Sequence, residues 1–168
     1  GDLLQSLSFE LLAQANLPLS AVRYFARAVG AQGMVSGQYL DMQAAGASTY
    51  RLHRLKTGRL IEAALILPTM GRSAVPGMAK FRWARSLGVL FQITDDLLDA
   101  TASSAELGKT AGKDAQQHKK TIISLLGLPG ARVKAEQIAV KLESDASKAF
   151  PDSQLLRNLP RELLSRSS

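Results

Sequence analysis

Apolar residues recur at intervals of three and four through Leu3 to Ala15, Ala21 to Met42, Tyr50 to Leu67, Met78 to Leu98, Thr121 to Leu126 and Ala131 to Ala149. That spacing lines one face of an α-helix, whereas the two-residue alternation of a half-buried strand is weak throughout. The pattern predicts an all-α fold. Asn16 and Pro18 follow the first segment, Pro68 and Gly71 follow the third, and Pro129 with Gly130 separates the last two; these residue types end helices. No internal repeat or low-complexity tract interrupts the series, so residues 1–168 are expected to form a single domain. The Ser-rich end, Ser165 to Ser168, is expected to fray.

The segments are too short and too mixed to cross a bilayer, since none offers about 18 consecutive apolar residues. No basic-then-apolar leader is present, and a soluble cytoplasmic protein is the expectation. Cysteine is absent, which removes disulfides, thiolate metal sites and cysteine nucleophiles and leaves carboxylates and histidines as metal ligands. A net charge of +7 suits a polyanionic partner. With 5% aromatics and no run of five basic residues, the chain does not point to nucleic acid.

Against that basic balance, Phe91 to Asp99 reads FQITDDLLD and holds three carboxylates in five positions. At about 100° per residue, Gln92, Asp95, Asp96 and Asp99 fall within an arc of roughly 100°, opposite Leu87, Leu90, Ile93, Leu97 and Leu98. Most charged helix stripes are solvated faces. Asp, however, is a poor interior helix former and neighbouring Asp residues repel, so solubility alone is a weak reason for this pattern. Short carboxylates at fixed spacing suit Mg²⁺, which takes oxygen ligands and is commonly shared between one or two carboxylates and substrate phosphates.

A diphosphate needs cations opposite such a ridge. Two segments supply them: Arg51 to Leu60, with Lys56 and Thr57, and the long polar stretch Thr101 to Lys120, with Lys109 and Lys119 ten residues apart. Gly108-Lys109-Thr110 is not a nucleotide-binding loop, because position 103 is serine where that motif needs glycine and no strand precedes it. His53 reads as a surface helix residue near Lys56, and His118 as a flank of Lys119. Trp83 and Phe81 read as core or dimer contacts, and Met34 and Met42 as packing residues.

In order, GDLLQSLSFELL (Gly1 to Leu12), GQYLDM (Gly37 to Met42), LKTG (Leu55 to Gly58), FQITDDLLD and LGKTAGKDAQQHKKT (Leu107 to Thr121) resemble the trans-isoprenyl diphosphate synthases, which include farnesyl and geranylgeranyl diphosphate synthases. The resemblance implies a bundle of long helices around an apolar cavity, usually dimeric, condensing an allylic diphosphate with isopentenyl diphosphate with the help of Mg²⁺. It implies Asp95 and Asp99 as metal ligands. It also implies Lys56, Thr57, Gln92, Lys109 and Lys119 on the allylic diphosphate, with Gln38, Asp41, Asp96 and Asp114 in support. Asp95 and Lys56 would be the catalytic pair.

That family carries a first aspartate-rich motif and paired arginines ahead of the Gly-Asp helix. Here Asp2, Glu10 and Asp41 cannot form DDxxD and no Arg-Arg pair occurs. The expectation is the C-terminal part of an isoprenoid synthase helical bundle, lacking its N-terminal helices. Two other readings stay open: a non-catalytic or regulatory short subunit that pairs with a complete synthase, and a terpene cyclase. Cyclases share the helical fold but usually carry an Asn-Ser-Glu metal motif where this chain has TDDLLD.

Overall fold

The structure is a computed structural model that describes residues 1–43, 49–71, 77–106 and 122–166. Its elements are α1 (Asp2–Gln14), α2 (Leu19–Val29), α3 (Met34–Met42), α4 (Thr49–His53), a π turn (Arg54–Gly58), α5 (Arg59–Met70), α6 (Met78–Glu106), α7 (Ile122–Ala149) and α8 (Gln154–Ser165). Among the described residues there is no strand, as the apolar spacing requires.

The main core lies where α6 meets α7. On α7, Ala131, Ala135, Ala139, Leu142, Ala146 and Ala149 recur at three and four positions and are all at most 1% exposed. Small side chains at that spacing let α7 approach α6 closely, and the large residues Trp83, Leu87, Leu90, Ile93 and Leu97 of α6 fill the space between. Trp83 is anchored twice: its Nε1 donates to the Leu142 carbonyl at 2.8 Å, and its ring meets Phe150 edge-on with centroids 5.2 Å apart. Such an aromatic pair adds about 0.5–1.5 kcal/mol beyond area burial. A second cluster joins α2 to α5 through Ala21, Phe25, Ala28, Val29, Ala63 and Leu67.

Several limits differ from the sequence expectation. Ala21 to Met42 is two helices, because the chain turns at Gly30 to Gly33, where the Gly33 amide bonds the Gly30 carbonyl at 2.9 Å. Pro68 sits inside α5, and α6 runs beyond Leu98 to Glu106, through the start of the stretch read as polar connection. The expected break near Pro129 is a kink at Gly127, whose φ of 68° is open to glycine, so the two expected segments follow one another as α7. The unforeseen helix α8 packs Leu163 into the core, with Ser153 Oγ accepting the Leu156 amide at 3.3 Å as its N-cap. Only at Ser165 does its last turn end.

Helix α1 buries no residue: Leu3, Leu4, Leu7 and Leu11 are exposed, and Phe9 touches Phe25 with ring centroids 5.1 Å apart. A helix apolar on several sides is stable in water only when something covers it.

Candidate functional site

The segment RLKTG is itself the π turn. The Arg59 amide bonds the Arg54 carbonyl, five residues back, so one extra residue is accommodated without ending the helix. The widened turn carries Lys56 and Thr57, both partly buried, between α3 on one side and α6 on the other.

Glycine sets the spacing on both sides. A methyl group at Gly37 would lie 2.2 Å from the Lys56 amide nitrogen, so α3 rests directly on the backbone of the turn. From that contact Asp41, one turn along α3, reaches Lys56: Nζ donates to Oδ2 at 2.6 Å. On the far side, a methyl group at Gly88 would lie 3.1 Å from Gly58 Cα, which is close enough that α6 crosses the turn almost backbone to backbone.

The aspartate segment follows Gly88 on α6. Asp95 and Asp99 are exposed, one helical turn apart, and no ion pair among the described residues engages either. Asp96 is half-buried and turned toward α7, where its Oδ2 accepts the Ile122 amide at 3.1 Å. Burial raises the Asp96 carboxyl above its usual range, opposed by that amide and by His53. The aspartates therefore divide by environment: two are exposed, and one ties α6 to the start of α7.

Beside them lies a cavity of about 370 Å³. Val89, Ile93, Ile122, Leu125 and Tyr50 form its apolar wall; Gln92, Asp96, His53, Arg54, Glu62, Arg85 and Lys134 are its polar groups. It opens on the Asp96 side of α6, so Lys56, Thr57, Asp95 and Asp99 border the neighbouring face rather than the cavity itself. His53 is half-buried here, not the surface residue its sequence context suggested. Burial, helped by Lys56, lowers its pKa against the upward pull of Asp96, Asp41 and Asp95.

Sequence reasoning passed over Glu62. It is 2% exposed and accepts from Tyr24 Oη at 2.6 Å, Arg85 Nε at 2.8 Å and Arg59 Nη1 at 3.2 Å. Its signal was present: a lone carboxylate among the apolar positions Ile61, Ala63 and Ile66, with arginine three residues before. Gln38 is exposed on α3. Lys109, Asp114 and Lys119 lie outside the described residues.

The polyprenyl synthetase family model matches residues 1–156. The chain is 41% identical to a farnesyl diphosphate synthase of Escherichia coli, over 94% of this chain and 62% of that protein. It is 38% identical to geranylgeranyl pyrophosphate synthase 9 of Arabidopsis thaliana, over 90% of this chain and 48% of that one. The fold resembles that of a Helicobacter pylori geranyltransferase solved with magnesium and isoprenyl diphosphate, with a TM-score of 0.69 and 29% identity over 98% of this chain and 57% of that chain. The chain thus spans about half to three-fifths of the length of these relatives.

Proposed function

The chain belongs to the polyprenyl synthetase family, and on that premise we propose that it forms the allylic-diphosphate side of a Mg²⁺-dependent prenyltransferase. The reaction joins an allylic diphosphate to isopentenyl diphosphate and releases pyrophosphate. The observation that carries the reading is the division of the FQITDDLLD aspartates, with Asp95 and Asp99 exposed and in no ion pair among the described residues while the π turn holds Lys56 on the crossing backbone.

The donor set fits magnesium: two hard oxygen ligands one turn apart leave room for water and phosphate oxygens, which is how this ion is commonly shared. Mg²⁺ held there would neutralise charge building on the departing pyrophosphate. The chain's own groups do the rest. Lys56 and Thr57 bind diphosphate oxygens from the π turn, and Gln92 orients the same group from α6. Lys109 and Lys119 add positive charge from the stretch between α6 and α7. Preorganised donors of this kind lower the barrier because they need not reorganise as the carbon–oxygen bond ionises. Gln92 belongs both to that set and to the cavity, whose apolar wall would exclude water from a prenyl chain that enters it.

A homodimer is proposed alongside. The resemblance to a usually dimeric family supports it, and sedimentation velocity of the chain would test it, a monomer across micromolar concentrations counting against it. A cytoplasmic site of action is proposed with it; among the described residues no helix is long and apolar enough to cross a membrane.

The experiment for the reading is calorimetric titration of the chain with pyrophosphate in the presence and absence of Mg²⁺, paired with a condensation assay using geranyl and isopentenyl diphosphates. Mg²⁺-dependent pyrophosphate binding that is lost in Lys56→Ala supports it. Binding indifferent to both Mg²⁺ and Lys56 would overturn it.

A further inference from the structure

Helices α5 and α6 run antiparallel and touch at successive rungs. The Glu62–Arg85 ion pair at 2.8 Å is one; Gly58 against Gly88 is the next, four residues back on the first strand of the ladder and three forward on the second. Continuing the same way, Lys56 on the π turn and His53 at the end of α4 approach the part of α6 that carries Gln92 and, one turn farther on, Asp95 and Asp96; His53, Gln92 and Asp96 line the same cavity. The functional residues thus occupy the open end of a register fixed lower down.

At the glycine rung the contact is backbone on backbone, with no side chain to lock one axial position against another. The lock lies at Glu62. Its carboxylate is buried and takes donors from three helices: Tyr24 on α2, Arg59 on α5 and Arg85 on α6. A buried carboxylate left without its charged partners is costly, so a displacement of α6 along α5 that separates Glu62 from Arg85 is opposed at short range. Arginine's planar fork adds direction, since it bonds the carboxylate well in few orientations.

We propose that Glu62 is a positioning residue: through Arg85 it sets the axial register of α5 on α6, and with it the placement of Lys56 relative to Asp95. Glu62 touches no reacting atom in this role. The consequence for chemistry rests on the prenyltransferase reading above; the register itself does not. A displacement of about 1 Å between groups that must meet the same diphosphate can cost about a hundredfold in rate, so a small slip at the glycine rung suffices.

The chain contains no cysteine, so a spin-label pair can be placed at the exposed positions Ala64 on α5 and Arg82 on α6 as Ala64→Cys and Arg82→Cys. In that background Glu62→Gln removes the charge with little change of shape, and Arg85→Gln removes the partner from the more exposed side. Expected are a shifted or broadened label–label distance, by about 1–3 Å of a 5.4 Å turn, and Mg²⁺–pyrophosphate affinity at least about tenfold weaker, with helical circular dichroism intact. Arg85→Lys, which keeps the charge, should recover part of both. If Glu62→Gln fails to fold, Arg85→Gln decides. Unchanged distances in a folded variant overturn the register; a changed distance with unchanged pyrophosphate affinity overturns its link to the site. A parent chain that binds no pyrophosphate at all sinks the prenyltransferase reading, while the distances still judge the register.

Discussion

Lys56 Nζ stands 2.6 Å from Asp41 Oδ2, joining the π turn to α3 through side chains that remain 37% and 15% exposed. An ion pair this accessible contributes less than about 1 kcal/mol to stability, so its value lies in holding a flexible ammonium in one place. Freeing that side chain costs a bound anion the ordering entropy of a long rotamer-rich group, about 0.5–1.5 kcal/mol. Asp41→Asn should therefore leave thermal unfolding almost unchanged and weaken Mg²⁺–pyrophosphate binding by roughly three- to tenfold. Lys56→Ala should weaken it further. Equal affinities for Asp41→Asn and the parent in a calorimetric titration would show that the pair does not position the lysine.

Gly37→Ala should be among the most destabilising single-methyl additions in the chain. The new methyl meets the Lys56 amide nitrogen at 2.2 Å, and backbone cannot rotate away as a side chain can. A cost of about 1–3 kcal/mol in urea denaturation is expected, with the denaturant slope unchanged. Gly77→Ala is the control, because nothing lies within 4 Å of its added carbon. Similar midpoints for the two variants would mean that α3 does not rest on the turn as described.

The fold class was legible because apolar spacing reports helix faces directly, and α6 and α7 each sustain it over many turns. What was not legible has local causes. The π turn inserts one residue, a phase change of about 100°, within a stretch only five residues long, so Tyr50 to Leu67 reads as a single helix. The kink at Gly127 depends on one backbone angle and α8 on a short amphipathic run that ends among serines. At the site, spacing on α6 gathered Gln92, Asp95, Asp96 and Asp99 on one arc but could not say which carboxylate turns toward α7; that depends on where Ile122 arrives from a distant part of the chain. Glu62 and its partners Tyr24 and Arg85 are separated by 38 and 23 positions, beyond any periodicity.

The aspartates should separate by experiment as they do by environment. Asp95→Asn and Asp99→Asn, on exposed carboxylates, should each weaken Mn²⁺ binding, read by electron paramagnetic resonance, by about tenfold or more when pyrophosphate is present. Asp96→Asn keeps an oxygen for the Ile122 amide and should change metal affinity little. Asp96→Ala leaves that amide without its acceptor, at a cost of about 1–3 kcal/mol in stability. Should Asp96→Asn lose metal as fully as Asp95→Asn, the division of roles fails.

His53 should make stability sensitive to mild acid. Burial and Lys56 lower its folded pKa, and Asp96, Asp41 and Asp95 only partly offset them. Above about pH 7 the imidazole is neutral in both folded and unfolded chains, and folding takes up no proton difference there. As pH falls through about 6.5 the unfolded chain binds a proton that the folded chain refuses, so stability drops until the folded pKa is reached. Carboxylates add their own slope at lower pH, and the chain's other histidine, His118, is common to parent and variant. The comparison is therefore a difference: the fall in melting temperature from about pH 7.5 to about pH 5.5 should be smaller in His53→Gln than in the parent. Coincident pH curves would mean that His53 titrates alike in both states, and that the cavity beside Asp96 admits enough water to solvate its charge.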